Sequence, residues 1–147
     1  MFSDPIYAVA LDFDGLLIDS EPFWHEAERK VLSDLGMSIS HEDSLKTTGL
    51  RCDEVIEYWA TKFGCQENID VKELEAKVED SVIDFIVSRG EAKTGAARLV
   101  NYLSMRTDKV AIVSSSPERV INAGLEKLGF LELNFPIFSD LCNSIIA

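Results

Sequence analysis

An apolar run, Tyr7-Ala8-Val9-Ala10-Leu11, ends abruptly in Asp12-Phe13-Asp14-Gly15. An unbroken run of this kind reads as a strand buried on both faces, the central strand of a parallel sheet, over Ile6 to Leu11. Two carboxylates then fall at the strand's C-terminal end, where an open α/β sheet presents its ligands. Residues i and i+2 of a strand point to one face, so Asp12 and Asp14 can converge on one substrate. Gly15 permits a sharp turn without Cβ strain. The same residues also suit a plain Asp-Gly turn with no chemistry.

Two stretches narrow that choice. Asp12-Phe13-Asp14-Gly15-Leu16-Leu17-Ile18-Asp19-Ser20-Glu21-Pro22 resembles the first signature of the haloacid dehalogenase superfamily, nearest its sugar-phosphate phosphatase and β-phosphoglucomutase-like branch. Further on, Val110-Ala111-Ile112-Val113-Ser114-Ser115-Ser116-Pro117 is similar to the second signature, an apolar strand ending in serine. The resemblance implies phosphoryl transfer through an aspartyl-phosphate. Asp12 is then the nucleophile. Asp14 gives a proton to the leaving oxygen and later takes one from water. Mg²⁺ is the implied cofactor, held by the Asp12 carboxylate and the Asp14 main-chain carbonyl. Ser114, helped by the backbone N–H of Ser115, binds the phosphoryl oxygens, since a loop entering a helix N-terminus suits an anion. The dehalogenase members lack an acid at the position of Asp14, so the resemblance favours phosphoryl transfer.

Two later signatures of that family have no counterpart here. One supplies a lysine, the other an acidic pair for the metal. After Ser114 the sequence holds one lysine, Lys127, inside an expected helix, and the carboxylates Glu118, Glu126, Glu132 and Asp140. Two readings follow. One is a Mg²⁺-dependent phosphatase of a small phosphorylated metabolite of the sugar-phosphate type, with a phosphomutase as its near variant. The other is a truncated, catalytically inactive member with a binding or self-association role, self-association running through an exposed core edge.

Composition excludes other classes. The chain of 147 residues is 46% hydrophobic and 27% charged, as in a folded globular protein. Fourteen basic residues against 26 acidic ones give a net charge of −12. That argues against nucleic acid and against anionic membranes as partners. Cys52, Cys65 and Cys142 are widely spaced and odd in number, which points to a reducing, cytoplasmic setting. The N-terminus lacks a basic n-region, and no apolar run is long enough to span a bilayer.

Between the two signatures the periodicity is helical. Ser20 is the expected N-cap of a first helix, with Phe23, Ala27, Val31 and Leu35 inward and Gly36 closing it. Further helices are expected over Cys52–Phe63, with Val55, Ile56, Trp59, Ala60 and Phe63 on one face, and over Asp70–Ser88, with Leu74, Val78, Val82, Phe85 and Ile86. A helix from Gly95 to Ser104 then leads to a strand from Lys109 to Val113. Ser116 is the expected cap of the next helix, with Pro117 at its first position and Gly129 after its end. The order implies a partial doubly wound, Rossmann-like α/β core over residues 1–19 and 91–147, with a helical cap over 20–90 inserted after the first strand.

In the family such a cap chooses the substrate. Thr48-Gly49-Leu50-Arg51 resembles its loop facing the core, with Gly49 allowing close approach and Arg51 pairing with a phosphate or hydroxyl; a plain turn with Arg51 solvated is the alternative. Glu21 and Trp24 fall where the family's first cap helix lines the entrance, although the residues themselves favour a first-turn carboxylate and a packing indole. His25 and His41 lack partners at metal spacing. Ala92-Lys93-Thr94-Gly95 replaces a proline-rich turn common in this branch.

Overall fold

The computed structural model describes residues 7–139. Among them the chain forms β1 (Val9–Leu11), α1 (Glu21–Asp34), α2 (His41–Ser44), α3 (Cys52–Phe63), α4 (Val71–Arg89), α5 (Ala96–Ser104), β2 (Val110–Ser114), α6 (Glu118–Leu128) and β3 (Ile137–Ser139). It divides into two units. One takes in the residues up to Ser20 and from Ile86 onward, the other Glu21–Phe85.

The first unit is α/β. Its three strands are parallel and lie in chain order, β1-β2-β3. Val9 faces Val110 and Leu11 faces Ile112, while Ile112 faces Ile137 and Ser114 faces Ser139. Sequential parallel strands joined by right-handed crossovers carry their connections on one face. Burial follows that rule. Leu11, Val110, Ile112 and Ser114 are buried, as are Val100 and Leu103 of α5 and Val120, Ile121 and Leu125 of α6. On the opposite face Ala10 is exposed, Val113 is 36% exposed and Phe138 47%.

This corrects the expectation for the first strand. β1 is shorter than Ile6–Leu11, and Ile6 lies outside the described residues. Among the described residues it has one strand neighbour, and Leu11 is buried while Ala10 is exposed, so one face of the strand is covered and not both. The apolar run is continuous because small Ala8 and Ala10 alternate with Val9 and Leu11, not because both faces are covered.

The second unit is helical. α3 spans the expected residues and ends at Gly64, whose φ of 70° is the left-handed cap conformation that glycine adopts without strain. Val55, Ile56, Trp59 and Ala60 are buried, but Phe63 is 45% exposed. In α1, Ala27 and Val31 are buried whereas Leu35, beyond the helix end, is 48% exposed. Residues four apart advance by about 40° around a helix, so a series of such steps drifts off the buried face. His25, Glu28 and Leu32 fill that face instead. Leu74, Val78, Val82 and Ile86 of α4 are buried as expected, and Phe85 is half-buried.

Candidate active site

The loop after β1 is anchored by its apolar side chains. Phe13, Leu17 and Ile18 are fully buried, with exposed Asp12 and half-buried Asp14 on either side of Phe13. Backbone bonds close the loop. Gly15 N–H donates to the Ile18 carbonyl (2.8 Å), and Leu17 N–H donates to the Phe13 carbonyl (3.0 Å). Gly15 has a φ of 74°, the conformation its position in the motif anticipates. The Ala92–Gly95 segment is tied to the same loop. Lys93 N–H donates to the Leu17 carbonyl (2.9 Å), and its ammonium lies 3.3 Å from Asp19 Oδ1.

The two carboxylates have different surroundings. Asp12 Oδ1 accepts the N–H of Phe13 at 2.7 Å, which sets the side chain against its own backbone at the strand end. Asp14 is held by hydroxyls drawn from three places. Ser20 donates to Oδ1, Ser114 to Oδ2 at 3.1 Å, and Ser116 to Oδ2 at 2.6 Å. The Ser116 contact is the shorter of the two to Oδ2. Ser116 N–H in turn donates to Ser114 Oγ at 3.1 Å. Ser114 is the last residue of β2 and is buried, while Ser115 is exposed. Asp14 and Ser114, 100 residues apart, therefore meet at adjacent strand ends.

Ser20 and Ser116 escaped the sequence reading, which gave both to helix caps. Ser20 spends its proton on Asp14. Pro117, not Ser116, occupies the N-cap of α6, which starts at Glu118, and the Ser116 hydroxyl also goes to Asp14. A serine just before a helix is locally a cap. Capping rules do not reveal an acceptor six residues back across a loop, as for Ser20, or 102 residues back, as for Ser116. The triple serine after an apolar strand was the available hint.

The other candidate residues lie in the helical unit. Glu21 is exposed and its Oε1 lies 3.8 Å from His25 Nε2. Trp24 is half-buried. His25 Nε2 is 3.2 Å from Thr48 Oγ1, which links α1 to the Thr48–Arg51 loop. Gly49 has a φ of 83°. Arg51 is exposed at the N-terminus of α3, where its guanidinium pairs with Asp53 at 3.1 Å and its N–H donates to Glu54 Oε2 at 2.9 Å. Buried Glu28 faces the other ring nitrogen of His25, Oε2 to Nδ1, at 3.7 Å, too far for a hydrogen bond. Desolvation pushes the Glu28 carboxyl up to about 7. Desolvation also lowers His25, against the opposing pull of Glu21. The Glu28–His25 contact is thus between groups that both resist charging. Burial, with Glu28, Glu75, Glu79 and Asp53 around it, raises the Cys52 thiol far above its usual range. A surface depression on α3, lined by Leu50, Glu54, Tyr58 and Lys62, contains none of the strand-end residues.

Mg²⁺ takes hard oxygen donors in octahedral array. Among the described residues no group of three or more Asp, Glu, His or Cys is gathered to hold a metal. The Asp12 carboxylate and Asp14 carbonyl do not complete a site by themselves. Asp140 lies outside the described residues. Lys127, the lysine after Ser114, donates to the Val87 carbonyl at 2.7 Å.

The chain is similar to known proteins in sequence and in fold. The model of the haloacid dehalogenase-like hydrolase family matches residues 9–138. Hexitol phosphatase B of Escherichia coli K12 is 51% identical over 55 residues, 37% of this chain and 25% of that protein. The crystal structure of a HAD hydrolase, family IA, variant 3, from Entamoeba histolytica superposes with a TM-score of 0.75 at 19% identity, covering 97% of this chain and 63% of that one. β-Phosphoglucomutase from Clostridium difficile gives 0.72 at 16% identity, covering 97% and 64%. The chain thus spans under two thirds of the length of both solved structures, and the aligned stretch is a quarter of the curated phosphatase.

Proposed function

This chain belongs to the haloacid dehalogenase-like hydrolase family, and on that premise we propose that it hydrolyses a small phosphorylated metabolite of the sugar-phosphate type. The observation that carries the reading is the pairing of an exposed strand-end Asp12 with an Asp14 held against Ser114. The local 51% identity to a hexitol phosphatase over 55 residues supports the substrate class.

In this reading an Asp12 carboxylate oxygen attacks phosphorus. The P–O ester bond breaks, and Asp14 protonates the departing oxygen. Water then attacks the aspartyl-phosphate, losing its proton to Asp14 as the bond between Asp12 and phosphorus breaks. The Ser114 hydroxyl and the Ser115 N–H stabilise the phosphoryl oxygens, whose charge spreads in the transition state. Mg²⁺ belongs to the proposal as the neutraliser of two facing anions, although the described residues do not by themselves complete its site. Glu21, Trp24, Gly49 and Arg51 are proposed substrate-choosing residues of a helical cap. A phosphomutase is the near variant. The setting proposed is cytoplasmic. Cys52 and Cys65 are free thiols, and no helix among the described residues is long and apolar enough to cross a membrane.

A second reading is a non-catalytic member that binds phosphate or associates with itself. Lys127 engaged with Val87 and the lack of a gathered acidic group among the described residues favour it. Hydrolysis of an aryl phosphate with Mg²⁺, with chelator, and by Asp12→Asn separates the two. The first reading expects Mg²⁺-dependent turnover that falls by at least about 10²-fold in Asp12→Asn. Turnover no greater than that of the variant, from folded protein, selects the second.

A further inference from the structure

We propose that Ser116 is the positioning residue that keeps Asp14 in place while Ser114 turns its proton to the phosphoryl group. The inference rests on the phosphoryl-transfer reading above. Ser114 and Ser116 both donate to Asp14 Oδ2, at 3.1 and 2.6 Å. A serine hydroxyl has one proton to give. If Ser114 gives it to a phosphoryl oxygen, as proposed, it withdraws from Asp14. Ser116, buried and with the shorter bond, then holds Oδ2, while Ser20 continues to hold Oδ1.

Ser116 also prepares Ser114 for that change. Its N–H occupies an acceptor position of Ser114 Oγ at 3.1 Å, so the Ser114 oxygen stays anchored whichever way its proton points. The two tasks use different atoms. Ser116→Ala removes the hydroxyl bond to Asp14 and keeps the backbone bond to Ser114, so the two can be separated. Pro117 follows directly at the N-cap of α6, and its fixed φ limits how far this short segment can adjust.

Leaving-group chemistry supplies the test. Glycerol phosphate has a poor alkoxide leaving group that needs protonation, whereas dinitrophenyl phosphate expels a stabilised phenolate that does not. In the first turnover, before Asp14 acts on water, Ser116→Ala should slow glycerol release from glycerol phosphate by about ten-fold and dinitrophenolate release from dinitrophenyl phosphate by less than about two-fold. KM should hold nearly constant, and Ser116→Thr should restore the rate. Equal losses on both esters would mean general damage and overturn the proposal. A second measurement is independent of turnover. Urea midpoints of Ser116→Ala, Asp14→Ala and the double variant should be non-additive, because the second substitution removes a bond already lost. Additive midpoints overturn the holding contact. If the unaltered chain fails to turn over dinitrophenyl phosphate, the phosphatase reading falls and the division of labour falls with it. Coupled midpoints would in that case report the contact alone.

Discussion

At the scale of single residues, the chain places its ionisable groups in opposite surroundings. Asp12 is exposed, whereas Glu28 is buried in a helix face with its carboxyl raised to about 7. A carboxyl raised on folding binds its proton more tightly in the native state than in the unfolded chain. Its contribution is therefore fully present below its unfolded value of 4.5 and is lost as pH rises through about 7. The whole loss is roughly 3 kcal/mol. His25 works the other way, because a lowered imidazole favours the native state above its unfolded value and costs stability as pH falls. Glu28→Gln should thus gain on the parent protein by about 2–3 kcal/mol between pH 5 and pH 8, read from urea unfolding at the two pH values. A difference that stays flat with pH would show that Glu28 is not desolvated. Nothing in the sequence singles out Glu28, since a glutamate in an amphipathic helix reads as solvent-facing. Its burial follows from the rotation of α1 that Leu35 also reports.

At the scale of elements, the strand-end loop is shaped from behind by α6. A Cβ on Gly124 would come within 2.2 Å of the ring of Phe13, the residue between the two aspartates. Phe13 is fully buried and cannot swing aside freely. Gly124→Ala should gain at most about 1 kcal/mol in helix propensity and lose about 1–3 kcal/mol by overpacking. The net result is a destabilised protein, measured by urea unfolding. Any turnover should fall with it, because the Phe13 shift displaces both aspartates. The boundaries of α3 and its glycine stop were legible in the sequence, since an apolar stripe and a left-handed cap are local features. The roles of Ser20 and Ser116 were not, because both bonds close over long loops or through a loop turn that local rules assign to capping.

At the scale of the whole molecule, the sheet of the first unit has, among the described residues, one buried face and one exposed face. Val113 and Phe138 are register partners on the exposed face. Exposed apolar sheet surface favours association. Sedimentation should show weight-average mass rising with concentration, and Phe138→Lys should weaken that rise. A parent protein that stays monomeric through the hundred-micromolar range, on the order of what weak contacts need, would count against the exposed face as an interface.

The sequence alone determined the parallel α/β order, the helical insertion after β1, the strand-end placement of Asp12, Asp14 and Ser114, and the family. Each of these is written in short-range signals, such as apolar runs, glycine stops and motif residues spaced along one loop. Tertiary structure decided what those signals cannot hold. It showed that β1 has a single strand neighbour among the described residues, that Glu28 lies buried, and that the hydroxyls of Ser20 and Ser116 converge with Ser114 on one carboxylate. A hydroxyl's partner and a strand's neighbour are set by which distant segment folds beside it, and adjacency in space is not encoded in adjacency along the chain.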